Sequence, residues 1–438
     1  MTMNARETAL QVLMACRKEG GWSNGVLKSY LARNRLDRRE AALAARLCYG
    51  VLQNRLKLDF YLQQLLTGRL KDLHPVLRDI LHLGMYQLYE TDKIPTAAAV
   101  NESVILAKKY CPRQRNAAGL VNAVLRKADQ QRSSLQQPRS YVERYSHPQA
   151  LVDLLKPYVG KKNLEAMLAA NNAVPPMVVQ TNILKTTTQD LISLLEGEGV
   201  TAQPHKWLPD CLILNGTGDL EKLKTFEDGL FYVQDAAARL SVLCAQIPQN
   251  ARVLDCCAAP GGKSFAAVMA MGGSGCVTSC DIHSHKTVLI EKGAQRLGFP
   301  NISVRQQDAS QFVPEWENQM DAVIADVPCS GYGIIRKKPD IRYKDPKTME
   351  DLPALQKAIL FNQARYVKPG GVLLYSTCTL VRAENEGIVE AFLAEHPDFF
   401  LEPLPLPDNF PQNTTGMLTL IPGQHDTDGF FICRLRRK

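Results

Sequence analysis

Apolar residues recur at helical spacing through the first third of the chain. Leu10, Leu13 and Met14 mark one such run, Leu43, Leu47, Tyr49 and Val51 a second, and Leu77, Leu81 and Tyr89 a third. Pro75, Pro95 and Pro112 fall where helices would begin or end. A last helix is predicted over 116–127, closing on Arg126 and Lys127. Residues 1–130 therefore read as an all-helical domain. A Gln-, Ser- and Arg-rich stretch with Pro138 follows at 129–140, and Ser146-His147-Pro148 opens a further helical stretch. The segment 131–176 is read as linker and helices, ending at the break Asn171-Asn172-Ala173-Val174-Pro175-Pro176.

The pattern then shortens. Over 177–233, β-type runs at 178–182, 211–214 and 230–233 surround a helix at 188–198, which gives a small α/β module. From 234 to 438, strand and helix alternate. Strands are predicted at 252–256, 275–282, 302–307, 322–326 and 371–376, with helices at 263–271, 285–297, 349–367 and 384–395. Runs at 417–421 and 430–435 read as a closing hairpin. Regular alternation implies an α/β domain with a parallel sheet and helices on both faces.

Composition narrows the class. At 45% hydrophobic and 22% charged residues, the 438-residue chain can bury cores and is not a disordered one. The first fifteen residues lack an uninterrupted apolar core, and no run approaches the roughly 20 apolar residues of a membrane span. A cytoplasmic protein with no membrane association is expected. The twelve cysteines are scattered and form no CxxC pair, so free thiols are expected and a structural zinc site or other metal is not. Charge is uneven: residues 1–132 hold 22 Lys/Arg against 11 Asp/Glu, within a net charge of +8. A basic end on a near-neutral body suits a polyanion such as nucleic acid.

Chemistry concentrates in three motifs. The strand at 252–256 runs into Cys257-Ala258-Ala259-Pro260-Gly261-Gly262-Lys263. A phosphate-binding P-loop would need glycine at Cys257, and Pro260 removes an amide from any phosphate cradle. No G-x-G-x-x-G fingerprint is present either. S-adenosylmethionine carries no phosphate and needs only close backbone approach and carboxylates. Asp281, Asp308 and Asp326 end or follow successive strands, where such a ligand would lie. Each alone is more often a turn or helix cap; the three together beside the glycine turn point to a ligand. The other two motifs carry thiols: Asp326-Val327-Pro328-Cys329-Ser330-Gly331 and Ser376-Thr377-Cys378-Thr379. A thiolate adding to C6 of a pyrimidine makes its C5 nucleophilic, so two thiols beside a methyl-donor loop point to C5 methylation.

These motifs resemble the hallmarks of the RNA (cytosine-5) methyltransferases, over about 234–438, and the whole chain resembles their bacterial small-subunit ribosomal RNA branch. The resemblance implies a Rossmann-like class I S-adenosylmethionine-dependent methyltransferase domain. It also implies an N-terminal NusB-like RNA-binding domain and an RRM-like middle module. It makes Cys378 the nucleophile, with the following helix N-terminus favouring its thiolate. Cys329 assists product release, and Asp326 bonds the cytosine edge or the methyl donor's surroundings. Residues 257–263, Asp281 and Asp308 hold S-adenosylmethionine, and 16S ribosomal RNA is the expected partner. Gln180 stands where the family often carries an RNA-contacting Arg. Arg336, Lys337, Lys338 and Arg342 read as phosphate contacts, with Tyr332 or Tyr343 as base-stacking candidates. Two alternatives stay open: the same chemistry on transfer RNA, and a non-catalytic RNA-binding assembly factor that keeps the fold.

Overall fold

The computed structural model describes residues 3–19, 23–408, 410 and 415–438. The few other positions of the predicted 1–130 and 234–438 domains lie outside the described residues. The chain divides into two compact units. One runs to Pro157 and includes Ile335–Lys344; the other comprises Tyr158–Ile334 and Asp345–Lys438.

The first unit is helical, with α1 Ala5–Glu19, α2 Ser23–Asn34, α3 Arg38–Leu65, α4 Pro75–Tyr89, α5 Thr96–Tyr110 and α6 Ala117–Gln130. The periodic residues Leu10, Leu47 and Leu81 are fully buried in its core. Asp37 caps α3 by accepting from the Glu40 amide at 2.9 Å. Pro75 opens α4, where its missing N–H is harmless. Gly50 permits a close crossing of α3 and α4, since a Cβ there would lie 2.0 Å from the Tyr86 ring. α6 outruns its predicted end because no Gly or Pro stops it and Ala128 is buried.

The segment Ile335–Lys344 corrects the reading of the basic run. Arg342 is 2% exposed and donates to the carbonyls of Gln53 at 3.0 Å and Ser146 at 3.2 Å. The Tyr343 hydroxyl donates to the Leu52 carbonyl at 2.9 Å. Arg342 is thus a core residue of the helical unit rather than a phosphate contact, and Tyr343 is not a free stacking ring. Tyr332 is also buried.

In the second unit, β1 Met177–Thr181, β2 Thr201–Pro204, β3 Cys211–Asn215 and β4 Phe231–Val233 form an antiparallel sheet in the order β2-β3-β1-β4. Helix Thr188–Gly197 packs Leu191 and Leu195 against Val179, Leu212 and Phe231. Gln180 points inward: it is fully buried and donates to Cys211 Sγ at 3.2 Å and the Gln234 carbonyl at 3.1 Å. No RNA contact can come from it in this position.

The larger sheet holds β5 Arg252–Asp255, β6 Cys276–Asp281, β7 Ile302–Gln306, β8 Met320–Asp326, β9 Val367–Thr377, β10 Phe399–Leu401, β11 Met417–Leu420 and β12 Phe430–Arg437. Its order is β10-β12-β9-β8-β5-β6-β7, with β11 paired to β12. β5 to β9 are parallel, and β10 to β12 add antiparallel pairs, so the sheet is mixed rather than wholly parallel. The strand order reverses between β5 and β8. That switch point opens a crevice at the carboxyl ends of both strands.

Candidate active site

Each predicted motif sits at a strand end around this crevice. β5 ends at Asp255, and the chain turns through residues 256–261 into helix Gly262–Ala270. Gly261 has φ +112°, and a Cβ there would meet the Phe265 ring at 2.4 Å. Only glycine makes this turn without displacing the helix. Cys257, Ala258, Ala259, Pro260, Gly262 and Lys263 wall a cavity of about 190 Å³ that Gln234, Asp255 and Asp326 also line.

The acids divide. Asp326 lines the cavity; its Oδ2 lies 2.6 Å from Lys263 Nζ, and its Oδ1 accepts from Ser376 Oγ at 2.7 Å. Lys263 Nζ also stands 5.1 Å above the Phe430 ring. Asp281 and Asp308 are at the ends of neighbouring strands but outside the lining. Asp281 accepts from the His283 amide at 3.0 Å, and Asp308 Oδ1 accepts from Ser310 N at 2.9 Å and Ser310 Oγ at 2.7 Å. Both therefore also serve the local turns that a strand-end acid commonly stabilises.

Asp255 escaped the sequence reading, although it ends an apolar strand as the other acids do. It is fully buried and accepts from Ser264 Oγ at 2.7 Å, while Ser279 Oγ donates to Ser264 Oγ at 2.7 Å. Burial pushes Asp255 up to about 7, against the Ser264 hydrogen bond and the Lys263 charge, which act the other way. Two carboxyl groups thus face the cavity beside one ammonium. Such a lining suits a cationic ligand and repels a polyphosphate, and Pro260 offers no amide to a phosphate.

The two thiols meet on the loops that follow Asp326 and Ser376, three and two residues further along the chain. Cys329 and Cys378 are each half-buried, with sulfurs 3.2 Å apart, and the Cys378 amide donates to Cys329 Sγ at 3.3 Å. The contact with Cys378, followed by burial, pushes the Cys329 thiol well above its ordinary range. Beyond Cys329 the chain returns to its partner loop, where Gly333 N donates to the Cys378 carbonyl at 2.9 Å. Cys378 directly follows β9, and the next α-helix starts at Glu386, eight residues on. Glu384 and Asn385, absent from the predicted site, bind the backbone of the residue that follows each cysteine, Ser330 and Thr379. The Cys256 side chain, directly after β5, is buried in the apolar core.

A Rossmann-like methyltransferase domain, with an acid-lined cavity and two touching thiols at its switch point, is the class this geometry defines. Residues 242–436 match the family model described as 16S rRNA methyltransferase RsmB/F, residues 3–130 match the NusB family, and residues 147–221 match the ferredoxin-like domain of RsmF/B-like methyltransferases. The probable ribosomal RNA small subunit methyltransferase B of Bacillus subtilis is 34% identical, over 99% of both chains. The ribosomal RNA small subunit methyltransferase B of Salmonella arizonae is 30% identical, also over 99% of both. The crystal structure of PH0851 superposes with a TM-score of 0.80 at 23% identity, covering 100% of each chain. The chain belongs to the RsmB/F family of 16S rRNA methyltransferases.

Proposed function

We propose that this protein transfers a methyl group from S-adenosylmethionine to C5 of one cytosine in 16S ribosomal RNA, through a transient bond between Cys378 and C6. The observation that carries the reading is the pair of thiols at 3.2 Å beside the Lys263–Asp326 pair. When bound against residues 257–263, with Asp281 and Asp308 at the neighbouring strand ends, S-adenosylmethionine supplies an electrophilic methyl group. The acid-rich lining fits its cationic ammonium and sulfonium centres.

The chain's own residues do the rest. Cys378, as thiolate, forms the S–C6 bond and pushes the ring electrons toward C5. Asp326, fixed by Lys263 and Ser376, accepts a hydrogen bond from the cytosine amino edge. Once C5 carries the methyl group, a solvent base takes its proton, the C–H electron pair re-forms the ring double bond, and the S–C6 bond breaks with its pair on the Cys378 sulfur. Cys329 assists that last step. A base inside a duplex stack cannot offer C6 to a thiol, so the target is reached in unpaired or opened RNA.

Denaturing gels of full-length protein incubated with 16S RNA and S-adenosylmethionine test the assignment. Cys378→Ala is expected to abolish both methylation and the covalent RNA adduct, whereas Cys329→Ala forms an adduct that persists. The reverse pattern would exchange the two roles. Tritium release from C5-labelled cytosine, compared between 16S RNA and transfer RNA, checks the substrate.

A further inference from the structure

Four residues flank the two cysteines, and two adjacent buried side chains hold three of them directly and the fourth through Gln356. Glu384 is 4% exposed, and its Oε2 accepts from the Ser330 amide at 2.9 Å and from Gln356 Nε2 at 2.9 Å. Gln356 Nε2 also donates to the Pro328 carbonyl at 2.9 Å. The residue before Cys329 and the residue after it are thus tied to one carboxylate, directly or through Gln356. Asn385 is fully buried; its Oδ1 accepts from Thr377 Oγ1 at 2.6 Å, and its Nδ2 donates to the Thr379 carbonyl at 3.1 Å. The residues before and after Cys378 are therefore tied to one amide. Ser330 Oγ and Thr379 Oγ1, 2.7 Å apart, join the loops, and Tyr375 Oη donates to the Glu384 carbonyl at 2.6 Å, which anchors the pair to β9.

We propose that Glu384 and Asn385 are positioning residues, one for each thiol-bearing loop, which together set the contact between Cys329 and Cys378. The inference rests on the covalent reading above and deepens it. Glu384 also places a negative charge near Cys329, which adds to the effects of Cys378 and burial in raising that thiol. A Cys329 kept neutral can donate its S–H to the Cys378 sulfur as the S–C6 bond breaks. This gives the release step a physical basis. The other ionisable groups around the thiols are Tyr332 and Tyr375, both raised chiefly by burial and so neutral over the working range, and the Asp326–Lys263 pair.

Glu384→Gln separates charge from geometry. Both of these hydrogen bonds fall on one oxygen, which the Gln carbonyl oxygen can reproduce without charge. In full-length protein carrying Cys378→Ala, the pH dependence of Cys329 alkylation by iodoacetamide is read by mass spectrometry of its peptide. Glu384→Gln is expected to move the midpoint down by about one pH unit; an unmoved midpoint overturns the electrostatic part. With both thiols present, Asn385→Ala is expected to slow adduct formation on the order of 100-fold without changing the KM for S-adenosylmethionine. In the same assay Glu384→Gln moves the alkaline limb of turnover to lower pH. Wild-type rates and pH profile in both variants overturn the positioning role. Failure of the covalent reading is recognised separately, by the absence of any adduct in Cys329→Ala, whatever the alkylation midpoints show.

Discussion

Asp255 carries the most pH-sensitive burden in the catalytic unit. Its folded-state value of about 7 lies above the usual 3.8 for the group, so the folded protein holds a proton that the unfolded chain has already lost. Stability from this group is therefore full below about pH 4, falls as pH rises toward 7, and is level above that. Asp255→Asn removes the effect. It is expected to be more stable than the wild type by about 4 kcal/mol at pH 8 and by about 1–2 kcal/mol at pH 5. Urea unfolding at the two pH values measures the gap, and an equal gap at both sinks the argument. A cationic ligand held against Asp255 favours its ionised form, so affinity for S-adenosylmethionine should rise through pH 7 in the wild type and stay flat in Asp255→Asn. This residue also marks where sequence reading ran out at the site. Cys329, Cys378 and residues 257–263 announce themselves by local motif. Asp255, Glu384 and Asn385 matter through burial and through partners up to 56 positions away, as with Glu384 and Pro328 joined by Gln356, and no local pattern encodes that.

Elements show the same division. Long periodic runs such as α3 and α4 fold as their apolar spacing implies. β2 and β10 were not legible: β2 is a four-residue edge strand ending in Pro204, and β10 has three residues. The long helix expected over 349–367 is shorter, Leu352–Ala364, and Val367 already belongs to β9. Pro369 and Gly370, just before the strand expected at 371–376, lie inside β9 where its register with β8 shifts. Arg342, within the strap Ile335–Lys344, departs from the expected phosphate contact because charge in a sequence suggests solvent, whereas its partners are carbonyls far along the chain. Arg342→Met would strip the Gln53 and Ser146 carbonyls of their donor in a buried place. A loss of about 3 kcal/mol in the helical unit's stability is expected, followed by urea unfolding. Both carbonyls accept from one nitrogen, Nη1, so the ammonium of Arg342→Lys should recover part of the loss. No recovery by lysine would show that the reach and shape of the guanidinium, not its charge, hold the strap.

At the scale of the whole chain, charge and chemistry are segregated. The first 132 residues carry twice as many basic as acidic side chains, while the two motif thiols and the acid-lined cavity lie beyond residue 232. A basic surface attracts RNA through its phosphates, and each neutralised phosphate releases counterions, so affinity must fall as salt rises. Arg33, Arg38 and Arg39 are exposed on α2 and at the start of α3. If they contact phosphates, changing all three to Gln should reduce the slope of log affinity against log salt by about 2, at roughly 0.7 per contact with single-stranded RNA. Filter binding of 16S RNA fragments between about 50 and 200 mM KCl reads that slope directly. Turnover at saturating RNA should be unchanged, because none of the three approaches the thiols in sequence or belongs to their unit. An unaltered slope would move the electrostatic contact elsewhere on the chain. A lost slope together with lost turnover at saturation would mean that the helical unit acts on the chemical step and not only on capture.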